Sequence, residues 1–253
     1  MKYSRYRKRL GQHFLNSKML ARKIIDYAEI SNEVVLEIGA GKGILTRQIA
    51  QEAKKVFAVE IDEHLARFLE DLALPNVVVI NTDFLKLSLK NYENPIIIGN
   101  IPYSITTPIL EKLIQERAYF KWAVLTLQKE YGERILAESG SRKYGSISLY
   151  VNYYFIARKA FVISARYFSP KPKVSSVVVS FRKITPPFSL KNEKKFFDFI
   201  QGVFRYRRKS LKNAITHYLD RLPEGIDREL LKKRPENLTL DDFHYIYTIV
   251  EST

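Results

Sequence analysis

Through the first two thirds of the chain, short apolar runs rich in Val and Ile alternate with stretches whose apolar residues recur at helical spacing. That alternation predicts strands joined by crossover helices, and hence a parallel sheet covered by helices. Strands are expected at Val34–Ile38, Val56–Glu60, Val77–Asn81, Ile96–Gly99 and Ala123–Gln128. Helices are expected at about Ile44–Ala53, Glu63–Leu72 and Pro108–Gln115. Further on, Gln128–Glu138 and Ile147–Tyr154 read as helical, and Phe161–Ser164 and Ser176–Phe181 as extended. Phe168–Lys173, with the sequence FSPKPK, is expected to be a loop, because Pro170 and Pro172 remove donors that a helix interior or central strand needs.

After Arg182 the texture changes. Thr185-Pro186-Pro187 acts as a hinge, and Phe196, Phe197, Ile200, Val203, Phe204, Leu211, Ile215 and Leu219 recur at helical spacing. Residues 1–183 are therefore expected to form one domain and residues 184–253 a small all-helical one, closing with a capped helix that starts at Thr239 or Leu240. A chain of 253 residues that is 46% hydrophobic suffices for packed cores. No apolar run approaches membrane-spanning length and Met1–Leu10 lacks the apolar stretch of a signal peptide, so a cytoplasmic protein is expected.

Composition narrows the chemistry. The chain has no cysteine, which excludes disulfides, thiolate metal sites and covalent catalysis through a cysteine nucleophile. Lys and Arg number 42 against 27 Asp and Glu, a net charge of +15 that favours a polyanionic partner. Two clusters stand out. Lys2, Arg5, Arg7, Lys8, Arg9, Lys18, Arg22 and Lys23 precede the first acidic residue, Asp26, and Arg205, Arg207, Arg208, Lys209 and Lys212 form the second. A solvated face would explain either alone. Interleaving with Tyr3 and Tyr6, and with Phe204 and Tyr206, favours nucleic acid.

Candidate chemistry sits at the ends of the expected strands. VVLEIGAGKGILT, Val34–Thr46, places Gly39, Gly41 and Gly43 between a strand and a helix, where the backbone can turn tightly and approach a ligand. The spacing is G-x-G-x-G, with Ile44 where a dinucleotide fold usually has its third glycine, which favours S-adenosylmethionine over NAD. Glu60 ends the second strand, where a carboxylate can accept both ribose hydroxyls; Asp62 and Glu63 are alternatives better suited to starting the next helix. After the third strand Asp83 can accept from an adenine amino group, with Phe84 as a wall for the ring, or can simply cap a turn.

The fourth strand runs into Asn100-Ile101-Pro102-Tyr103. Turn chemistry accounts for each residue type separately. Together they make a device for a base amino group, which is a poor nucleophile because its lone pair is shared with the ring. The Asn100 side-chain oxygen and the Ile101 carbonyl, held before the stiff Pro102, can accept its N–H groups while Tyr103 stacks on the base. His13, His64, His217 and His244 show no ligand spacing, and no metal site is expected.

GQHFL (Gly11–Leu15), EIGAGKG (Glu37–Gly43), VEID (Val59–Asp62), NTDFL (Asn81–Leu85), GNIPY (Gly99–Tyr103) and FSPKPKVSSVVV (Phe168–Val179) together resemble the ribosomal RNA adenine N6-dimethyltransferases, in order along the chain. Within that superfamily TTPIL (Thr106–Leu110), LQKE (Leu127–Glu130), RKYGSISL (Arg142–Leu149) and FRYRRKSLKNAI (Phe204–Ile215) are closer to the KsgA-type small-subunit enzymes than to the Erm-type large-subunit ones. The resemblance implies an α/β fold: a Rossmann-like class I S-adenosylmethionine-dependent methyltransferase domain with a small all-helical C-terminal domain. It implies that His13 and Leu15 approach the cofactor through a covering segment, with Gly39 under its amino-acid end and Gly41 in the same turn. Glu60 would hold the ribose, Asp83 the adenine, and Asn100 the reacting centre. Many relatives carry Asn at the position of His13; both residues can donate a hydrogen bond.

The same resemblance makes Phe168–Lys173 a rigid flap beside the target adenosine, with Phe168 a second stacking wall and Lys171 and Lys173 near RNA, although a plain inter-strand loop is the rival reading. Arg205, Arg207, Arg208 and Lys209 would meet phosphates, with helix capping and intramolecular pairing as rival uses. The implied partner is small-subunit rRNA within a pre-assembled small ribosomal subunit, and the implied enzyme is a monomer that dimethylates N6 of two adjacent adenosines. An Erm-type enzyme and a non-catalytic RNA-binding factor of the same fold are the alternatives.

Overall fold

A computed structural model describes residues 13–252; the basic segment Met1–Leu10 and Gly11 lie outside the described residues. The strands in chain order are β1 (Phe14–Leu15), β2 (Val34–Ile38), β3 (Lys55–Glu60), β4 (Val77–Asn81), β5 (Ile96–Asn100), β6 (Trp122–Gln128), β7 (Phe155–Ile163), β8 (Phe168–Ser169) and β9 (Ser176–Lys183). The helices are α1 (Lys18–Ala28), α2 (Ile44–Ile49), α3 (Glu63–Glu70), α4 (Thr106–Gln115), α5 (Lys129–Ile135), α6 (Ser146–Tyr154), α7 (Glu193–Phe204), α8 (Leu211–Leu219), α9 (Arg228–Lys232) and α10 (Leu240–Ser252). Among the described residues no helix is long and apolar enough to cross a membrane.

The described residues divide into two compact units, residues 13–132 with Ile156–Lys183, and Glu133–Phe155 with residues 184–252. In the first, seven strands form one sheet in the order β4-β3-β2-β5-β6-β9-β7. β4, β3, β2, β5 and β6 run parallel, and β9 is antiparallel to β6. The chain leaves β2 for β3 and β4 on one side, then returns to place β5 on the other. Beyond the carboxyl ends of β2 and β5 there is therefore a topological switch point, where an open α/β sheet leaves a crevice.

Local chemistry fixes the elements beside that crevice. The Ser17 hydroxyl caps α1 by accepting from Leu20 N–H at 3.3 Å, and Leu20, Ala21, Ile24, Ile25 and Ala28 form its buried stripe. Asp62 caps α3, accepting from His64 N–H at 2.9 Å and Leu65 N–H at 3.2 Å, which spends it on the helix and leaves Glu60 as the strand-end acceptor. α4 begins two residues before the expected Pro108, because a proline in the first helical turn removes a donor that has no intrahelical partner. α2 ends at Ile49 rather than Ala53, the chain closing through turns in which Glu52 and Ala53 N–H groups return to the Ile49 carbonyl. β7 starts at Phe155, well before the expected Phe161. As an edge strand it tolerates exposed Ile156 and Val162 and interspersed polar residues that mask the strand pattern.

Two expectations need correction. FSPKPK is not wholly a loop: Phe168–Ser169 pairs antiparallel with Phe14–Leu15, in the register Phe14 with Ser169 and Leu15 with Phe168. The pairing lies ahead of Pro170 and therefore needs neither proline as a donor. The second unit, moreover, is not confined to residues 184–253. Tyr144 and Leu149 share one core with Phe196, Ile200, Ile215 and Phe243, while Tyr153 donates to the Phe188 carbonyl and Tyr154 to Glu193, both at 2.7 Å. The two hydrogen bonds join residues 35 and 39 positions apart, and such distant partners are not registered by helical periodicity along the chain.

Candidate active site

At the carboxyl end of β2 the backbone passes through Gly39 at φ 69° and Gly41 at φ 58°, the left-handed region where glycine carries no steric cost. A Cβ on Gly41 would stand 2.8 Å from the Phe14 ring, so the turn packs directly under β1. On Gly39 the nearest atom to such a Cβ would be the Asn100 carbonyl at 3.9 Å, which leaves the face of this residue open to the crevice. Glu60, at the end of β3, is buried, with one carboxylate oxygen accepting from Gly41 N–H at 2.8 Å and the other from Asp62 N–H at 3.0 Å. Burial pushes its pKa up, and the Asp62 and Gly41 amides oppose that shift by holding the anion.

Asn100 closes the opposite wall. Its Nδ2 donates to the His13 carbonyl at 2.8 Å, which leaves Oδ1 as the side chain's acceptor. Ile101 N–H donates to the Thr126 carbonyl at 3.1 Å; among the described residues no donor is spent on the Ile101 carbonyl itself. Pro102 sits at φ −58° and starts the turn that carries Tyr103, whose hydroxyl shares a 2.9 Å hydrogen bond with that of Ser176. Burial raises the Tyr103 pKa above the ordinary phenol range, so the residue stays neutral and offers a face rather than a base. The His13 ring lies 5.5 Å from the Tyr103 ring, tilted by 37°.

His13, Phe14, Gly39, Glu60 and Asn100–Tyr103 line one open cleft. Here the structure brings together His13, Gly39, Glu60, Asn100, Ile101, Pro102 and Tyr103 from the sequence reading, with Gly41 bonded beneath. Other expected residues lie elsewhere. Leu15 is buried in the core with Leu20 and Ile24, because alternation along β1 turns Phe14, not Leu15, to the cleft. Phe84 is 5% exposed, under the Lys112 ammonium, and offers no wall to a ring, whereas Ile61, next to Glu60, is 50% exposed. Asp83 caps a short turn by accepting from Leu85 N–H at 3.0 Å. Phe168 is 3% exposed, its ring packed in the core with Leu15, and therefore does not present a stacking face.

The basic residues also divide. Arg22 pairs with Asp26 and Glu52, and the Lys23 ammonium lies 4.3 Å from the centre of the Phe161 ring, so this part of the first cluster serves the fold. In the second unit Arg207 is a brace: its Nε and Nη2 donate to Glu236 at 3.2 and 2.8 Å, and Nη2 also to the Arg142 carbonyl at 2.7 Å. Arg205, Arg208 and Lys209 are exposed, as are Lys171 and Lys173 in the first unit. Arg207→Ala is therefore expected to cost about 1–2 kcal/mol of stability. The double change Arg208→Ala and Lys209→Ala should leave stability within about 0.5 kcal/mol and flatten the salt dependence of RNA binding by about one unit of slope per cation. Urea unfolding and RNA titrations across salt concentrations check both; an unaltered slope would assign Arg208 and Lys209 to solvation alone.

Glu37 was not singled out in the sequence, although a carboxylate inside the apolar run VVLEI is itself a signal. It is buried and accepts from the Thr46 hydroxyl at 2.6 Å. Burial raises its pKa from the ordinary 4.5 to about 7, opposed by the Thr46 hydrogen bond and reinforced by the charge of Glu60. A carboxyl with a raised folded pKa holds its proton more tightly in the folded chain. Its contribution to stability is complete below pH 4.5 and is lost as pH rises through about 7, for a total of roughly 3 kcal/mol. Glu37→Gln keeps an acceptor for Thr46 and removes that titration. It is expected to unfold at a higher temperature than the wild type at pH 8 and at a similar one at pH 5; equal melting temperatures at both would refute the assignment.

A family model described as ribosomal RNA adenine dimethylase matches residues 3–250. The chain belongs to the ribosomal RNA adenine dimethylase family. It is thus an S-adenosylmethionine-dependent rRNA adenine methyltransferase with a Rossmann-like fold and a C-terminal helical region. It is 40% identical to the ribosomal RNA small subunit methyltransferase A of Thermotoga neapolitana over 97% of this chain and 92% of that protein. The corresponding Thermotoga maritima protein is 41% identical over 96% of this chain and 85% of its own length. Among solved structures, a dimethyladenosine transferase from Plasmodium falciparum superposes with a TM-score of 0.79 at 27% identity, covering 95% of this chain and 98% of the other. The 23S rRNA methyltransferase ErmE shares the fold, with a TM-score of 0.72 at 23% identity over 94% of this chain and 99% of its own.

The cleft fits the cofactor of the dimethylase family. A glycine without a Cβ opens onto it at Gly39, and each Glu60 oxygen that accepts one backbone N–H keeps acceptor capacity for a hydroxyl.

Proposed function

We propose that this dimethylase family member transfers two methyl groups to N6 of each of two adjacent adenosines in a 3′-terminal hairpin of small-subunit (16S-type) rRNA. The reading places the protein in the cytoplasm, acting as a monomer on a pre-assembled small subunit during ribosome biogenesis. The supporting observation for the chemistry is the fixed Asn100 amide: with Nδ2 spent on the His13 carbonyl, Oδ1 is left as an acceptor beside the Ile101 carbonyl and the Tyr103 ring, in the cleft that also holds Glu60. For the small-subunit target, support comes from the two Thermotoga proteins, whose names specify that subunit.

S-adenosylmethionine, when bound, supplies a sulfonium methyl and departs as a neutral thioether. In this reading Gly39 and Glu60 hold it, with Ile61 against its adenine and Asp83 near the adenine amino group. Asn100 Oδ1 and the Ile101 carbonyl would accept the N–H groups of the target amine, two in the first transfer and one in the second, letting its nitrogen pyramidalise toward the methyl donor. Tyr103 holds the base in plane. No strong base is required, because the cationic amine loses its proton to water after transfer.

The test is transfer of labelled methyl to unmodified small subunits, with naked large-subunit rRNA in parallel, followed by nucleoside analysis. Dimethyladenosine only in small subunits is expected. Label only in large-subunit rRNA would establish the Erm-type reaction instead, and label in neither would leave a non-catalytic RNA-binding protein.

A further inference from the structure

His13 joins the proline-rich segment to the acceptor site through separate contacts on its two sides. On the far side, the segment 13–16 is tied to 167–170 by consecutive rungs: Asn16 N–H donates to the Tyr167 carbonyl at 2.9 Å, Phe14–Leu15 pairs with Phe168–Ser169, and His13 Nδ1 lies 2.7 Å from the Pro170 carbonyl. Since a carbonyl can only accept, Nδ1 carries the proton and donates. Facing the cleft, the His13 carbonyl receives Asn100 Nδ2 and the ring borders Tyr103. The strand that follows this segment, β9, is also fastened to the site, because its first residue, Ser176, is the hydroxyl partner of Tyr103. Asn100, His13, Pro170, Ser176 and Tyr103 thus close a circuit around the site, anchored by the buried Phe168 and Leu15 rather than by free loop.

We infer that His13 is a positioning residue: its ring bond to Pro170 fixes the carbonyl that orients the Asn100 amide, so the seating of the Phe168–Lys173 segment sets the acceptor geometry. This rests on the proposed methyl transfer and goes beyond the cofactor contact that the family resemblance implies for His13. A displacement of about 1 Å in such a group can cost a hundredfold in rate. The chemistry of the ring identifies a substitute. Asn Nδ2 is as many bonds from the backbone as His Nδ1, so asparagine can donate to the same carbonyl, whereas phenylalanine keeps a ring against Tyr103 and loses the donor.

The test compares His13→Asn, His13→Phe and His13→Ala for single-turnover rate on small subunits, KM for subunits, and S-adenosylmethionine Kd by calorimetry. With a positioning role, His13→Phe and His13→Ala lower the rate about 10- to 100-fold while KM and cofactor Kd stay within about threefold, and His13→Asn recovers most of the rate. Cofactor Kd weakened in parallel with the rate would overturn the inference in favour of a direct cofactor contact. A rate unchanged in His13→Phe would overturn it by showing that the donor is dispensable. Absence of transfer in the wild type would instead refute the proposed function, whatever the variants bind.

Discussion

Asn100→Ala is expected to reduce methyl transfer to small subunits by about 100- to 1000-fold, the scale on which removal of one fixed polar contact at a reacting centre acts. RNA affinity and its salt slope should be unchanged, because Asn100 lies in the cleft and carries no charge. Cofactor affinity should change little, since the Gly39 turn and Glu60 remain. Asn100→Asp separates the two jobs of the side chain. It retains an acceptor for the amine but sets a carboxylate oxygen against the His13 carbonyl, where Nδ2 donates at 2.8 Å in the native chain. Repulsion there should leave a rate between those of the wild type and the alanine variant. Turnover unaffected in Asn100→Ala, measured under single-turnover conditions, would sink the acceptor mechanism and leave the residue as turn punctuation.

Sequence pattern brings these residues to one cleft because they lie at strand ends. Glu60 and Asn100 each terminate a parallel strand, and parallel neighbours bring their carboxyl ends to one edge of the sheet, so strand assignment alone places them together. Asn81 and Trp122 likewise mark strand ends to within a residue of the periodic reading. Orientation within a motif was far less legible. His13 and Leu15 come from one short motif, yet only His13 reaches the cleft, and nothing local says which residue of a two-residue strand faces inward. Phe84 and Phe168 were read as walls because aromatic rings beside acceptors suit a base. Both instead fill the interior, where a buried Phe contributes about 2–3 kcal/mol.

The larger gap concerns partners distant in sequence. Tyr103 and Ser176 are 73 positions apart, and Arg207 meets Glu236 across 29. A run of Arg and Lys looks uniform on paper. In the folded second unit one member, Arg207, is held by three hydrogen bonds while its neighbour Arg208 stands in solvent. The same logic explains why Glu133–Phe155 was read into the first domain although the boundary at Lys183 stands: hydrophobic spacing pointed to a helix at Ile147–Tyr154 but could not say which core it would join.

Glu60→Ala is expected to weaken S-adenosylmethionine binding by about 100- to 20,000-fold. The estimate follows from two hydroxyl hydrogen bonds to a charged acceptor at about 1.5–3 kcal/mol each. The substitution also removes the acceptor of Gly41 N–H at 2.8 Å and of Asp62 N–H at 3.0 Å, so a stability loss of about 1–3 kcal/mol should accompany it. Glu60→Gln distinguishes the contributions, because its amide keeps one acceptor oxygen but turns an NH₂ group toward the other donor. It should bind the cofactor with intermediate affinity and destabilise the Gly41 turn nearly as much as alanine does. Calorimetric Kd, read at a temperature where each variant remains folded, separates binding from folding. If Glu60→Ala bound S-adenosylmethionine within about threefold of the wild type while unfolding earlier, Glu60 would be a brace for the Gly41 turn, and the ribose would have to be held by other groups in the cleft.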